Sequence, residues 1–164
     1  MSQMKAKLAI AALLSIGVVA LGCAYLLGYP PFTSPFVQTC GKAIRERLAV
    51  PSTYQPMAVE ESRRTITYDE FFTDPRRAVP EASRKAMVRV ARMPPVQYVA
   101  RIDYQAQDSI GAIIRESATC TFNSLEGSDT PNDTDWVMID GEHNIEWAAR
   151  QPNAAALLRR QLPR

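Results

Sequence analysis

VQYVARIDYQ, residues 96–105, and AIIRESATCTF, residues 112–122, decide the fold of this 164-residue chain. In the first stretch apolar side chains occupy every second position, at Val96, Tyr98, Ala100, Ile102 and Tyr104. Such alternation is typical of a strand that buries one face. A short segment containing Gly111, which adopts positive φ without strain, joins the two stretches. Together they predict an antiparallel hairpin with a short loop.

Less regular strands are predicted on both sides of this hairpin. Residues 54–60 and 64–72 alternate weakly, as in the run Thr65-Ile66-Thr67-Tyr68, and are expected to form two strands. The polar, turn-rich residues 124–135 predict a loop, and residues 136–139 (WVMI) predict a last strand. The expected sheet therefore has about four or five strands.

Three segments outside the sheet show helical periodicity. Within residues 36–50, apolar side chains recur at spacings of three and four, at Val37, Cys40, Ile44 and Leu48. Residues 80–93 predict a second helix, whose apolar stripe is Val79, Ala82, Ala86, Val90 and Met93. A short third helix is expected from Asn153 to Leu162. The predicted fold class is α+β, with one small antiparallel-sheet domain packed on the first two helices.

The aromatic residues are expected to fill the core on one face of the sheet. The residues assigned to this core are Tyr98, Tyr104, Phe122 and Trp136. Trp147, near the C-terminal helix, fits either the core or an exposed position.

The N-terminal region contains an apolar run long enough to cross a membrane. Residues 8–29 contain no charged residue, and a helix of that length extends about 33 Å. Because Lys5 and Lys7 precede the run, the positive-inside rule places the N-terminus in the cytoplasm and the rest of the chain outside. An uncleaved signal anchor is expected. A lipoprotein signal cleaved at Cys23 and a cleaved secretory signal are the alternatives.

The domain organisation follows from this anchor. Residues 1–29 are the cytoplasmic stub and transmembrane anchor, and residues 30–35 (PPFTSP) are a stiff, proline-rich spacer. Residues 36–148 form the extracytoplasmic domain, and residues 149–164 form a basic helical tail. The predicted location is the bacterial inner membrane, with a single span and the domain in the periplasm.

Two of the three cysteines lie in the predicted domain. Cys23 belongs to the apolar run, whereas Cys40 and Cys120 belong to the polar part of the chain. Two cysteines in an exported domain indicate one disulfide, whereas the same pair in the cytosol is more often reduced. The predicted anchor therefore favours a bridge, and two buried reduced cysteines are the alternative.

The chain resembles a group of small exported bacterial domains, mostly uncharacterised, over about residues 37–141. The features that carry the resemblance are Cys40 on an early helix, the run Leu48-x-x-Pro51-Ser52-Thr53, and the segment Ile102-Asp103-Tyr104-x-Ala106-Gln107-Asp108-Ser109-Ile110-Gly111-Ala112 followed by Arg115 and Cys120. Those domains often have Asn and Phe where this chain has Asp108 and Ile110. The resemblance implies a Cys40–Cys120 bridge and a helix packed on an antiparallel sheet. It implies no activity.

Signals for catalysis are weak, so an enzyme is not expected. His143 is the only histidine, and it follows a turn-like Gly141-Glu142 pair. With the carboxylates of Asp140, Glu142 and Glu146 nearby, it fits a metal site or an acid–base group, but a lone histidine in a polar turn is usually solvated. No HExxH, CxxC, GxSxG or phosphate-binding glycine loop occurs. No metal and no cofactor are predicted.

Charge is distributed unevenly along the chain, although the net charge is only +2. Residues 76–101 contain seven basic residues and one acidic residue, whereas residues 126–146 contain seven acidic residues and no Lys or Arg. The predicted interaction surface consists of Arg76, Arg77, Arg84, Lys85, Arg89 and Arg92. Such a surface suits anionic headgroups or an acidic partner. An ordinary solvated helix face is the alternative, and no nucleic-acid partner is expected.

These features predict a non-catalytic accessory or assembly subunit of an envelope complex, held in the membrane by one span. Its expected partners are membrane lipid and another membrane protein. A freestanding tethered domain that binds a ligand or acts as an inhibitor is the alternative, and a hydrolase using His143 is a more distant one.

Overall fold

A computed structural model describes residues 33–74 and 79–161 and leaves out the side chains of residues 158–161; the compact unit described begins at Ser34. Its centre is one antiparallel sheet of five strands, which lie side by side in chain order. The strands are β1 (Gln55–Thr65), β2 (Val96–Gln107), β3 (Ile113–Ser124), β4 (Met138–Ile139) and β5 (Glu142–His143). The predicted α+β class and antiparallel sheet are confirmed.

The β2–β3 hairpin forms as the alternation predicts. Its register runs from Val96 opposite Ser124 to Gln107 opposite Ile113. In the loop, the side chain of Asp108 accepts hydrogen bonds from the backbone N–H groups of Ile110 and Ala112, both at 2.9 Å. Gly111 has a φ of +86°, the left-handed conformation that favours glycine. The side chain of Asp108 therefore stabilises the conformation of the loop.

One helix, α1 (Pro35–Arg47), covers the inner face of this sheet. The Ser34 hydroxyl accepts a hydrogen bond from the Val37 N–H at 3.2 Å, and Pro35 occupies the first turn, where its missing N–H costs nothing. The residues that α1 buries are Phe36, Val37, Cys40, Gly41, Ala43 and Ile44. They share one hydrophobic core with the inward-facing residues of β2 and β3. The predicted first helix is confirmed.

The strand predicted at residues 64–72 is wrong. β1 extends to Thr65, and the chain then forms a short helix, α2 (Tyr68–Phe71). The Thr67 hydroxyl accepts from the Glu70 N–H at 3.1 Å, and the Glu70 carboxylate accepts from the Thr67 N–H at 2.8 Å. This reciprocal capping box starts the helix despite the local alternation.

The basic segment forms a helix, α3 (Glu81–Val90), but this helix does not pack on the sheet as predicted. None of its residues is buried, and Val90 is 76% exposed. Its apolar stripe consists largely of alanine and valine, which offer little area to bury. Because α1 already covers the inner sheet face, the sheet packs on one of the two predicted helices.

The region around the last strand also differs from prediction. Residues Thr134–Trp136 form a 3-10 turn, and Trp136 is 43% exposed, whereas the neighbouring Val137 is fully buried. After β4, positive φ angles at Asp140 and Gly141 turn the chain back into β5. Trp136 therefore does not belong to the core.

Two helices complete the described chain. α4 (Asn144–Ala149) follows β5 directly and was not predicted, whereas α5 (Ala154–Gln161) lies where the third helix was expected. The predicted anchor at residues 8–29 lies outside the described residues. Within the ranges that are described, no helix has the length and apolar character needed to cross a membrane.

Candidate functional site

The predicted interaction surface is only partly available for a partner. Arg76 and Arg77 lie outside the described residues. Arg84 pairs with Asp69 at 3.1 Å, and its guanidinium lies 4.8 Å from the centre of the Phe72 ring. These contacts tie α3 to the region of α2. Arg84 therefore holds the helix in place more than it presents a free charge.

The remaining cations of this surface face solvent. Lys85 pairs with Glu81 one turn earlier at 2.7 Å, an exposed contact of small energetic value. Arg89 and Arg92 are exposed and form no ion pair within the part of the chain that the structure describes. We call the exposed surface of α3 and of the residues just after it the basic apolar face, comprising Lys85, Val88, Arg89, Val90, Arg92 and Met93.

The basic apolar face combines positive charge with exposed apolar area. Val88 is 39% exposed, Val90 76% and Met93 44%. Val88 and Val90 lie on a helix without a buried residue, and Met93 follows its end, so that three exposed apolar side chains lie among three cations. Helices that lie in the interface of a membrane have this composition.

This face lies near the point at which the chain enters the domain. The Tyr68 hydroxyl donates to the carbonyl of Met93 at 3.2 Å, and the Ile66 N–H donates to the carbonyl of Pro95 at 2.9 Å. Both contacts fix the residues that flank α3 at the sheet end formed by Val96 and Ser124. At the same end, the first turn of α1 places Phe36 5.9 Å from the Tyr98 ring.

His143 does not occupy the solvated turn that the sequence suggests. It is buried; its Nδ1 lies 3.2 Å from the carbonyl oxygen of Val137, and its Nε2 lies 3.4 Å from Oδ2 of Asp74. Both side chains of the His143–Asp74 pair are more than nine-tenths buried. This long contact is an ion pair if the imidazole is protonated. His143 therefore joins the segment after α2 to the β4–β5 hairpin.

The three carboxylates expected around His143 have other partners. Asp140 accepts from the Thr119 N–H at 2.8 Å, Glu142 pairs with Arg150, and Glu146 accepts from the His143 backbone N–H at 3.3 Å. No cluster of three potential metal ligands occurs among the described residues. The geometry around His143 gives the hydrolase hypothesis no support.

A polar network centred on Arg47 was not predicted from the sequence. The guanidinium donates to Oδ1 of Asn144 at 2.7 Å, to the carbonyl of Ile139 at 3.1 Å and to the carbonyl of Glu142 at 2.7 Å. It also lies 5.6 Å from the centre of the Trp147 ring. Burial lowers the pKa of Arg47 from its usual value, and the nearby carboxylate of Glu142 opposes that shift.

Asn144 completes this network from the start of α4. It is fully buried, and its amide donates to the carbonyl of Ala43 at 3.0 Å and to Glu46 at 2.8 Å. Glu46 in turn accepts from the Thr134 hydroxyl at 3.1 Å. The network therefore joins α1 to the 3-10 turn, to the β4–β5 hairpin and to α4.

Two tyrosines pack together at the end of the sheet nearest the β2–β3 loop. Tyr54 and Tyr104 pack with ring centres 5.5 Å apart. Burial raises the pKa of Tyr54 to about 12, and the neighbouring Arg45 opposes that rise. Burial also raises the pKa of Tyr104, and its hydrogen bond to Glu116 at 2.8 Å adds to that effect. Both hydroxyls stay neutral at physiological pH.

The Cys40–Cys120 disulfide is present. It joins α1 to β3 with a Cα–Cα distance of 5.9 Å, across 80 residues of sequence, and both cysteines are fully buried. The bridge therefore fixes the single covering helix to the centre of the sheet.

No protein-family model matches the chain, and no curated protein or solved structure is detectably similar to it. The resemblance to small exported bacterial domains therefore gains no support from these comparisons. The bridge and the antiparallel sheet that it implied are present in the structure.

Proposed function

We propose that the protein is a non-catalytic accessory or assembly subunit of a bacterial envelope complex, anchored by residues 8–29 with its domain in the periplasm. In this proposal the basic apolar face rests on the anionic membrane surface. The observation that carries the proposal is that α3 is amphipathic and basic, yet none of its residues is buried within the domain.

Membrane binding would give the exposed apolar side chains of this helix a place to be buried. Val90, which shares one side of α3 with the exposed Ala82 and Ala86, would enter the boundary between headgroups and acyl chains together with Met93 just after the helix, and the adjacent arginines would meet lipid phosphates. Each Lys or Arg near an anionic surface contributes about 1 kcal/mol. A helix of ten residues with few cations binds a bilayer weakly by itself. A covalent tether supplies the high local concentration that makes weak binding sufficient.

The position of α3 supports the same proposal. The domain begins at Ser34, whose hydroxyl donates to Glu61 of β1 at 2.8 Å, and the residues flanking α3 are fixed beside the Thr65 end of the same strand. The four residues 30–33 extend at most about 14 Å when fully stretched. Chain length alone therefore limits how far Ser34 can lie from an anchor that ends at residue 29.

The buried polar groups support a structural role for the domain. The Arg47 network and the His143–Asp74 pair each join elements that are distant in sequence. The carboxylates of Asp140 and Glu146 accept from backbone N–H groups, and that of Glu142 pairs with Arg150. A role exercised through surface contacts agrees with this arrangement.

Hydrogen exchange of the full chain in lipid nanodiscs tests the membrane contact. We expect the amides of residues 81–93 to exchange about tenfold more slowly in nanodiscs containing anionic lipid than in purely zwitterionic ones. The double variant Arg89→Gln/Arg92→Gln should lose this protection, because two phosphate contacts of about 1 kcal/mol each are removed. Raising the salt concentration should weaken the protection of the wild type.

The matched control is Lys42→Gln/Arg115→Gln, which removes the same charge from two exposed positions elsewhere in the domain. This control should retain the protection of the wild type. Equal exchange in the two lipid compositions would contradict the membrane contact, and so would an equal loss in both double variants.

A further inference from the structure

β1 lies at one edge of the sheet. It pairs with β2 along one side, and no other strand within residues 33–74 and 79–161 pairs with its outer side. From Glu60 to Thr65 every residue is exposed. Such an edge carries unpaired backbone donors and acceptors and can accept another strand.

The backbone phase of β1 is fixed by its pairing with β2. The Ile66 N–H donates to the carbonyl of Pro95 at 2.9 Å, so residue 66 points its backbone groups toward the neighbouring chain. In an antiparallel ladder this orientation alternates from residue to residue. Residues 60, 62 and 64 therefore also point toward β2, and residues 59, 61, 63 and 65 point toward the free edge.

The charges on this edge are arranged symmetrically about Ser62. The run Glu60-Glu61-Ser62-Arg63-Arg64 has two acidic residues on one side and two basic residues on the other. If the strand pairs antiparallel with a second copy about Ser62, Glu60 lies opposite Arg64 of that copy and Glu61 lies opposite Arg63. Four pairs of opposite charge result, and such cross-strand pairs stabilise a sheet.

We propose that two copies of this chain pair through β1 in this register and form one continuous sheet. In this register the pairs formed by residues 61 and 63, and by residues 59 and 65, are the hydrogen-bonded ones. These residues are those whose backbone groups already point to the free edge. The backbone phase thus permits this register, as it does others centred on a single residue, and the order of charges selects it among them.

The ends of β1 agree with this register. A β-bulge between Pro56 and Ala58 interrupts regular pairing on one side of the proposed strand contact, and the cap of α2 at Thr67 ends it on the other. The regular stretch, residues 58–65, contains all the residues that the proposed register pairs. Charged residues also protect edge strands from pairing. Protection alone does not require acidic residues on one side of Ser62 and basic residues on the other.

Some of these side chains have partners within one copy. Arg64 contacts Glu70 at 3.1 Å, and Glu61 accepts from the Ser34 hydroxyl at 2.8 Å. Glu60 and Arg63 are exposed and form no ion pair within the described ranges. The pairing adds contacts to groups that are exposed in the single copy, so it needs no rearrangement of the core.

The symmetry of the pair also suits two anchored chains. The twofold axis of such a pair is perpendicular to the sheet, so both α1 helices lie on the same side of the joint sheet. Both Ser34 residues, from which the chains continue toward their anchors, therefore lie on that side. This self-pairing goes beyond the proposed membrane contact and does not depend on it.

Charge reversal provides the first test, with the full chain in detergent micelles and its mass measured by light scattering. The wild type should be a dimer. Glu60→Arg/Glu61→Arg and Arg63→Glu/Arg64→Glu should each raise the dimer dissociation constant at least tenfold, because like charges then face each other. An equimolar mixture of the two variants should restore the dimer, because every opposing pair is again of opposite sign.

Cysteine crosslinking provides the second test and reads the register directly. In the proposed register, residue 62 of one copy lies opposite residue 62 of the second copy in a non-hydrogen-bonded pair. The Cα–Cα distance in such a pair is about 4.5 Å, which a disulfide can span. In a Cys23→Ala background, Ser62→Cys should form a crosslinked dimer under mild oxidation. Ser109→Cys, an exposed serine in the β2–β3 loop, should not.

Either experiment can overturn the proposal. A monomeric wild type without a Ser62→Cys crosslink would do so, and so would a dimer whose affinity is unchanged by the two charge reversals. Variants that stay monomeric when mixed would also contradict it, unless circular dichroism shows that one of them is unfolded. In that case equal crosslinking at positions 62 and 109 would be the contradicting result.

Discussion

The double substitution Cys40→Ala/Cys120→Ala is expected to lower the free energy of unfolding by about 4 kcal/mol. The bridge closes a loop of 80 residues, and in the chain-entropy model such closure removes freedom mainly from the unfolded state. Both cysteines are fully buried beneath α1, so the substitution also removes contacts from the core. For a small domain with a total stability of about 5–15 kcal/mol, this is a large share.

Urea unfolding of the full chain in detergent, followed by tryptophan fluorescence, measures this loss, because both tryptophans lie in the domain. Reduction of the wild type should shift the unfolding midpoint in the same direction as the double substitution. Cys23→Ala is the matched control and should leave the midpoint unchanged, since Cys23 is not part of the bridge. A loss below about 1 kcal/mol would show that the bridge does not hold α1 to the sheet.

Substitution of Arg47 by methionine is expected to destabilise the domain by about 2–3 kcal/mol. The change leaves Oδ1 of Asn144 and the carbonyls of Ile139 and Glu142 without the donors that now satisfy them. An unsatisfied buried acceptor costs about 1–3 kcal/mol, and some of these groups regain water because Arg47 is only partly buried. Arg47→Lys should recover part of the loss, since one ammonium group cannot reproduce the planar fork.

Lys42→Met on the same helix is the matched control. Lys42 is exposed, so its substitution should change stability by no more than about 0.5 kcal/mol. The same urea titration compares the three variants with the wild type. If Arg47→Met costs no more than Lys42→Met, the network does not join α1 to α4 and the β4–β5 hairpin.

The elements that could be predicted are those whose pattern is local. The alternation from Val96 and the spacing around Cys40 are set by the period of a strand or helix that buries one face, so both elements formed as expected. The capping box of Thr67 and Glu70 is equally local. The alternation of residues 65–68 indicates a strand, but the two hydrogen bonds of the cap stabilise a helix there.

The remaining differences depend on contacts between distant parts of the chain. Arg47 looks like one of several charged residues on a solvated helix face, and only the fold brings it to Asn144, 97 residues away. Similarly, His143 is buried because the segment that follows α2 places Asp74 beside it. The predicted packing of α3 on the sheet was wrong for a different reason. An amphipathic pattern indicates that a helix needs an apolar partner, but it does not identify that partner.

Native electrophoresis of solubilised membranes tests most directly whether the protein is a subunit of a larger envelope complex. The full chain is expressed at its native level with a small epitope tag, and membranes are dissolved in a mild detergent. We expect the tagged chain to migrate in an assembly larger than a pair of its own copies, and to be released from that assembly by a denaturing detergent. Migration as a single chain or only as a self-pair, while an established membrane complex in the same sample stays intact, would contradict the account.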